Sequence, residues 1–564
     1  MTAAARIPLG LSLSLAAIAF AVVAATLAAW TTDDAYISFR YALNLVEGHG
    51  LVFNAGGERV QGYTHPLWVL VVALGSWLGA TAEAWTQGLG IAAYGISIAV
   101  LAYEARRTAH LHRVFVPVAA LVGASHRDWA IFATSGLETS WLTMFVTLGF
   151  VALRRDLERP AARGIVVGAC MGLATVTRPD AGLLAAVVGA VYLLRRREGF
   201  IGYALAGLAF VVPMLLAAKI YYGDWLPNPY SAKSSNASWW SQGMRYLQLY
   251  AEAYGVLALG PVLLLVARSR RFAARVHRRH GEDPWLVAVA LGILVYGGAV
   301  VRVGGDFMFA RLFVPLTPLL ALLLEVGVAR LGGVRLALGV TTSVVAVMQL
   351  VPRPVTGIQW RYGVADEWEY YDPASRVFML QDAEALHHAT RGIPVRIAFM
   401  GGLAGVIYTS RVPWATDAET GLTDRAIARN PVVTRGRPGH EKRPTVEQLL
   451  ERKIHMVLGT FAVRELHIDA ALPVVPIRIG DLEGVLLWWD PEVVEPLRAR
   501  GAKFPDFHRD LDAILARLPE TPDAHVAPIY ARLRRFYFDH NDDPERARPF
   551  EERLAAMEGR SAAR

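Results

Sequence analysis

Eleven apolar runs fill the first 350 positions and leave this chain few ways to fold. A backbone inside lipid must satisfy its own N–H and C=O groups, so runs of this length become spanning helices. They are Ile7–Trp30, Trp85–Tyr103, Val114–Ser125, Thr139–Leu153, Gly164–Val176, Ala181–Leu194, Phe200–Ala218, Tyr250–Val266, Trp285–Val301, Leu312–Val328 and Leu336–Val351. A hydrophobic fraction of 54%, a mean hydropathy of +0.33 and only 19% charged residues agree with an integral membrane chain. From about Val355 onward, charge, proline and short apolar pieces mix as they do in a water-exposed fold. The expected architecture is an α-helical polytopic membrane domain over 1–354, with about eleven crossings, followed by a soluble α/β domain over 355–564.

The net charge of +8 gathers in loops between the runs: Arg106, Arg107 and Arg113; Arg154, Arg155, Arg159 and Arg163; Arg195 to Arg197; Arg268 to Arg279; Arg330 and Arg335. Short basic loops stay cytosolic, whereas a nucleic-acid footprint would be one continuous patch with aromatic platforms, so no nucleic-acid partner is expected. The stretch Pro66–Gly79 tests the rule. As a full crossing it would put Arg106 to Arg113 outside, so it is read as an interfacial or re-entrant piece. Five polar segments then fall on the side away from the cytosol: TTDD to HPLW (Thr31–Trp68), Ser125–Ser140, TRPD (Thr177–Asp180), YYGDWLPNPYSAKSS (Tyr221–Ser235) and VRVGGDFMFAR (Val301–Arg311).

Cys170 is the chain's single cysteine, so no intramolecular disulfide forms. The first run is read as an uncleaved helix, because it exceeds a signal peptide's apolar region and more spans follow. In the C-terminal part, VRIAFM, GGLAG and VPWATDAETGLTD read as strand, turn with short helix, and strand. GGLAG is a tight turn rather than a dinucleotide fingerprint, whose full spacing it lacks. Thr445–Arg452 reads as helix, IHMVLG and VVPIRI as strands, and Asp506–Met557 as amphipathic helices.

Asp33 and Asp34 stand between an apolar run and an amphipathic helical pattern, where a helix start favours ionised carboxylates. Moving a sugar off a lipid phosphate needs a base or nucleophile, and cations for the departing phosphate. Asp33 and Asp34 supply the first; Arg40, Arg178, Lys233 and Arg311 are available for the second. Simpler roles stand beside these. One aspartate can cap the following helix, Arg40 can pair with an aspartate, Arg178 and Asp180 can bridge each other, and Glu138 and Asp306 can satisfy helix ends. His65 is read as orientational, since no metal-ligand spacing accompanies it.

The segments DDAYISFRYALNLVEGHGLVFN, GERVQGYTHPLW, FATSGLET, TRPDAG, YYGDWLPN with PYSAK, WSQGMRYL and GGDFMFARLFVPL together resemble the membrane glycosyltransferases of the GT-C class. Within it they are most similar to the arabinofuranosyltransferase B family, which adds terminal arabinofuranose to mycobacterial cell-wall arabinan. The resemblance runs in patches from Thr32 to about Pro315. It implies a polyprenyl-phosphate sugar donor, a glycan acceptor, a periplasmic site at the plasma membrane, and juxtamembrane helices in the first periplasmic loop. The residues it assigns are Asp33 and Asp34 at the catalytic loop, with Arg178, Lys233 and Arg311 toward the donor phosphate. His65, Glu138, Asp180, Tyr222, Asn228 and Asp306 are expected toward substrate. GLTD, IARNP and GHEK look like the exported domain attached to many relatives. A lipid-linked saccharide transporter and a non-catalytic envelope assembly factor remain the alternative readings. The stereochemical outcome, the sugar, the acceptor and the participation of a divalent cation are open at the level of sequence.

Overall fold

The computed structural model describes residues 8–562 except 109–114, 160–162, 234–236, 274–282, 358, 433–434 and 436. Arg113, the start of the Val114–Ser125 run and the basic residues Arg275, Arg278 and Arg279 therefore lie outside the described residues. Among those described, six helical segments are long and apolar enough to cross a bilayer: Leu9–Leu27, Ala82–Thr108, Arg197–Tyr222, Trp240–Ala267, Pro284–Val303 and Arg311–Leu331. Shorter apolar helices, Pro66–Trp77, Ile165–Thr177 and Val334–Leu350, pack with them. The Arg197–Tyr222 helix leaves Ile201, Leu205 and Ile220 at least 65% exposed, an apolar surface that water would penalise and acyl chains accept. The chain is a multi-pass membrane protein.

Several runs depart from the expectation of one unbroken helix each. The Val114–Ser125 run holds only the helix Val118–Ala124, begun after Pro117, whose seven residues rise about 10 Å against a bilayer core of about 30 Å. The Tyr250–Val266 run is one part of a longer path. An amphipathic helix, Trp240–Tyr254, leads through a 3-10 turn at Gly255–Ala258 into Leu259–Ala273. Pro315 has no N–H to return to the preceding turn, and its run opens as a 3-10 helix, Arg311–Leu316, before Thr317–Leu331. Pro66–Trp77, at 12 residues, packs on the helix Asp33–Val46.

Basic loops and polar segments occupy opposite ends of the bundle. On the Ala82–Thr108 helix, Gln87 donates to Trp30 O at 3.0 Å beside the TTDD segment. About 25 Å further along, Glu104 accepts from Arg154 Nη1 at 2.6 Å.

Beyond Leu350 the chain builds a five-stranded mixed sheet: β1 (Arg396–Phe399), β2 (Trp414–Asp417), β3 (Met456–Leu458), β4 (Val475–Ile479) and β5 (Leu482–Leu486), in the order β2-β1-β3-β5-β4. β1 runs parallel to β2 and β3, while β5 is antiparallel to β3 and β4. The strands expected at VRIAFM, VPWATD, IHMVLG and VVPIRI are four of these. β5 and the helix Pro373–Thr390 were not anticipated from the sequence.

This α/β part is tied to the first polar segment by buried polar contacts. Asn54 donates to Ala415 O at 2.7 Å and accepts from Ala415 N at 2.9 Å, acting as a one-residue extension of the sheet edge. Arg353 pairs with both Asp128 and Asp366, and both carboxylates are buried.

Within the bundle, the Ile165–Thr177 and Arg197–Tyr222 helices touch along small residues. A Cβ built on Gly168 would lie 2.1 Å from Tyr203 O, and one on Gly172 would lie 2.7 Å from Gly207 O. Close backbone approach of this kind is what small residues four apart permit in lipid. Gly168→Ala should destabilise the detergent-purified protein by about 1–3 kcal/mol through overpacking. Gly298→Ala, where nothing lies within 4 Å, should leave thermal unfolding unchanged. Equal melting temperatures for the two variants would contradict the seam.

Candidate active site

At the polar end of the bundle, helix ends and loops surround a cavity of about 510 Å³. Its lining draws on all five polar segments, Ser125–Ser140 contributing Leu137 alone. Behind that wall sits Glu138, fully buried. Thr139 begins the helix Thr139–Glu158, so the carboxylate stands at a helix N-terminus, and three side chains converge on it. Arg178 Nη1 donates at 2.9 Å, Arg311 Nη2 lies at 3.5 Å, and His65 Nδ1 lies 3.3 Å from the other oxygen. Burial opposes ionisation of Glu138, but His65, Arg311 and Arg178 outweigh it and hold its pKa well below the usual carboxylate range. Burial pushes the His65 imidazole down to about 4, so it is neutral at pH 7. In the neutral ring Nε2 shares a 2.6 Å hydrogen bond with Ser38 Oγ, while Nδ1 faces Glu138 Oε2 without completing one.

The two arginines are also held from a second side. Arg178 grips Asp180 through Nε and Nη2 at 2.9–3.2 Å, and Tyr296 donates to Asp180 Oδ2 at 3.1 Å. Arg311 donates to Asp306 Oδ2 at 3.3 Å, while Asp306 also accepts from Phe307 N at 2.9 Å. Arg178, Asp180, Arg311 and Asp306 all line the cavity. Lys233 and Arg302 line it too, and neither pairs with a carboxylate among the described residues. Arg302 was not singled out from the sequence, although it lies in the last turn of Pro284–Val303, inside the VRVGGDFMFAR segment. Tyr63, Tyr296 and Glu441 were likewise missed.

The adjacent aspartates diverge. Thr32 is the N-cap position of Asp33–Val46, so both begin the helix, yet their side chains leave it in different directions. Asp34 is half-buried and lines the cavity, with no hydrogen bond or ion pair among the described residues. Asp33 faces the α/β part, where Gly405 N and Ala404 N donate to its carboxylate at 2.8 and 3.1 Å. These N–H groups open the short helix Ala404–Ser410 after the GGLAG turn, where Gly401 and Gly402 take positive φ. Burial raises the Asp33 carboxyl from 3.8 to about 7 against those two N–H groups, with Asp34 and Glu419 adding to the rise. The expected ionised pair at a helix start is thus corrected for Asp33, where loss of water outweighs the backbone donors.

Three other expected site residues also stand outside the cavity lining. Arg40 is buried against the Phe53 ring and donates to Phe53 O, Asn54 Oδ1 and Val412 O at 2.7–3.1 Å, a bridge between the first loop and the α/β part. With its donors directed at carbonyls, it does not reach a phosphate in this cavity. Tyr222 exchanges a 2.8 Å hydrogen bond with Tyr63 and donates to Leu51 O. Asn228 donates to Gly421 O, Leu422 O and Asp424 O at 2.9–3.1 Å, clamping the GLTD turn. No group of three or more His, Cys, Asp or Glu side chains is placed to hold a metal ion among the described residues.

No family model matches the chain. ArnT from Cupriavidus metallidurans, solved bound to undecaprenyl phosphate, superposes with a TM-score of 0.54 at 14% identity, over 85% of this chain and 97% of that one. The chain has the ArnT-like GT-C fold. The apo form of the same protein gives a TM-score of 0.52 over 84% of this chain and 97% of that one. In sequence, the chain is 31% identical over 337 residues to the terminal beta-(1->2)-arabinofuranosyltransferase of Corynebacterium glutamicum, covering 53% of this chain and 48% of that protein. It is 29% identical over 331 residues to the protein of the same name from Mycobacterium tuberculosis, covering 53% and 52%. The chain spans about half the length of the curated relatives it matches.

Removing the shared carboxylate should leave Arg178 and Arg311 without their common anion. Glu138→Gln is expected to cost about 3–5 kcal/mol, read as a lowered melting temperature. Asp33 sets a pH dependence. Between its ordinary value and about 7, the folded chain keeps a proton that the unfolded chain has released. Its contribution to stability is full below about pH 4 and is lost as the pH rises toward about 7. Asp33→Asn cannot titrate and should therefore lose less thermal stability than the parent on going from about pH 5 to about pH 8. Parallel losses would place the titration elsewhere.

Proposed function

We propose that this protein transfers a sugar, arabinofuranose by the names of its sequence relatives, from a polyprenyl-phosphate donor to a hydroxyl of an envelope glycan. The observation that carries the reading is the cavity itself. It holds an unpaired carboxylate, Asp34, together with two cations, Lys233 and Arg302, that no protein carboxylate neutralises among the described residues. Arg178 and Arg311 are fixed behind them by Glu138, Asp180 and Asp306. A departing phosphate gains most from cations that are not already compensated and that sit in a site partly closed to water.

Apolar residues of the cavity wall, two of them on the spanning helix Pro284–Val303, support a lipid-linked donor. Leu183, Ala299 and Val303 line the same cavity, so a charged head and a hydrocarbon tail have adjoining walls. The undecaprenyl phosphate bound by ArnT agrees with that chemistry. Asp34 is the group placed to act at the reacting centre, as base toward the acceptor hydroxyl or as nucleophile at the anomeric carbon. In either role its carboxylate must be free, and it is the aspartate of the pair with no protein partner among the described residues. Asp33 is a positioning residue in this reading, joining the catalytic helix to the α/β part. His65 orients Glu138, and Tyr222 and Asn228 shape the walls without touching substrate.

The reading places the cavity and residues 355–564 on the periplasmic side, with the membrane part ending at 354. The segregation of arginine-rich loops to the other end supports it.

The test is turnover of radiolabelled polyprenyl-phospho-arabinose with an arabinofuranosyl oligosaccharide. Asp34→Asn should lower the rate by about 10²- to 10⁴-fold, whereas Asp33→Asn should retain measurable turnover. If the parent releases no polyprenyl phosphate from any pentose or hexose donor, the transferase reading fails.

A further inference from the structure

Among the described residues, two buried carboxylate oxygens accept no hydrogen bond: Glu138 Oε2 and Glu441 Oε2. The first faces His65 Nδ1 at 3.3 Å. The second has no such neighbour. Glu441 is only 8% exposed and lines the cavity, reaching it from the α/β part along with Pro438 and Gly439. A buried carboxylate oxygen left without a donor is costly and uncommon, and on a residue that lines a cavity the donor can come from a group bound there.

The strap that carries Glu441 is fixed on both flanks. Arg437 donates to Glu367 at 2.9 Å and lies over the rings of Phe307 and Trp360 at 4.0 and 4.5 Å. His440 sets its ring edge-on to Phe307 at 4.7 Å. On the other side, Lys442 Nζ is bound to Asn430 O and Arg443 to Glu419 O. Lys442 is the cation that Glu441 influences, yet its ammonium is directed at that carbonyl. The residues on either side of Glu441 are therefore fixed, and its Oε2 has no protein donor among the described residues, the condition for selective hydrogen bonding.

The chemistry of the occupant follows from charge. Like charge disfavours a phosphate beside Glu441, and among the described residues no cluster of carboxylates and imidazoles is placed to make it part of a metal site. Sugar hydroxyls are neutral donors that a carboxylate accepts strongly. We infer that Glu441 is a saccharide-recognition residue, its carboxylate accepting hydrogen bonds from the hydroxyls of a sugar ring in the cavity. The inference rests on the transferase reading and adds to it the part that the α/β segment plays in selecting substrate. The ring belongs either to the lipid-linked donor or to the glycan acceptor, and the two are separable by experiment.

The full chain, purified in detergent, is titrated with three probes: an arabinofuranosyl oligosaccharide, polyprenyl-phospho-arabinose, and polyprenyl phosphate without sugar. Glu441→Gln and Glu441→Ala should each weaken one of the two sugar-bearing probes by about tenfold or more and leave the sugar-free lipid unchanged. Weaker oligosaccharide binding assigns the ring to the acceptor; weaker binding of the lipid-linked sugar alone assigns it to the donor. The near-isosteric Gln variant carries the test if the Ala variant unfolds. Unchanged affinity for both sugar probes overturns the inference, as does a parent that binds neither, or an equal loss for the sugar-free lipid. A parent that binds sugar in a Glu441-dependent way but releases no polyprenyl phosphate would end the transferase reading and leave the saccharide site standing.

Discussion

Glu138 is a charge taken out of water at the N-terminus of the Thr139–Glu158 helix, and the site is assembled around the need to compensate it. An isolated carboxylate there would be protonated or would unfold its surroundings. Arg178 comes from the turn after one helix, Arg311 from the 3-10 opening of another, and His65 from the residue before Pro66. Each reaches Glu138 and is held from its far side by Asp180, Asp306 or Ser38. Three separate chain segments are thus brought to one point, and the cavity is the space in front of them.

This arrangement separates cavity charges already paired within the protein from cavity charges left unpaired among the described residues. Arg178 and Arg311 are largely neutralised by carboxylates of the protein itself. Among the described residues Lys233 and Arg302 are not, and Asp34 has no cation of its own. Preorganised groups of this kind need no rearrangement when charge develops on a substrate. Arg40 shows the opposite case: an arginine within a conspicuous motif whose donors all go to protein oxygens.

The α/β part closes the remaining side. It is joined to the first polar segment through Asp33, Arg40 and Asn54, and to the SAK segment through Asn228. Those contacts accompany the placing of Pro438, Gly439 and Glu441 in the cavity wall. Residues distant in sequence by more than 300 positions thereby share one enclosure.

The apolar runs and arginine-rich loops by themselves determined that the chain crosses a membrane many times and that five polar segments share one face, because a bilayer core tolerates few charges and little unpaired backbone. Alternating and turn-bounded patterns were likewise enough to locate four of the five strands. Sequence could not divide the labour between Asp33 and Asp34, since neighbours in a helix start differ only in where their side chains point. Nor could it show that Arg40, Tyr222 and Asn228 are tied to protein groups, or that among the described residues Arg302 pairs with no carboxylate and Glu441 Oε2 accepts no hydrogen bond. Whether a charged group is neutralised depends on partners far along the chain, and only the packing of helices against the sheet decides which partners those are.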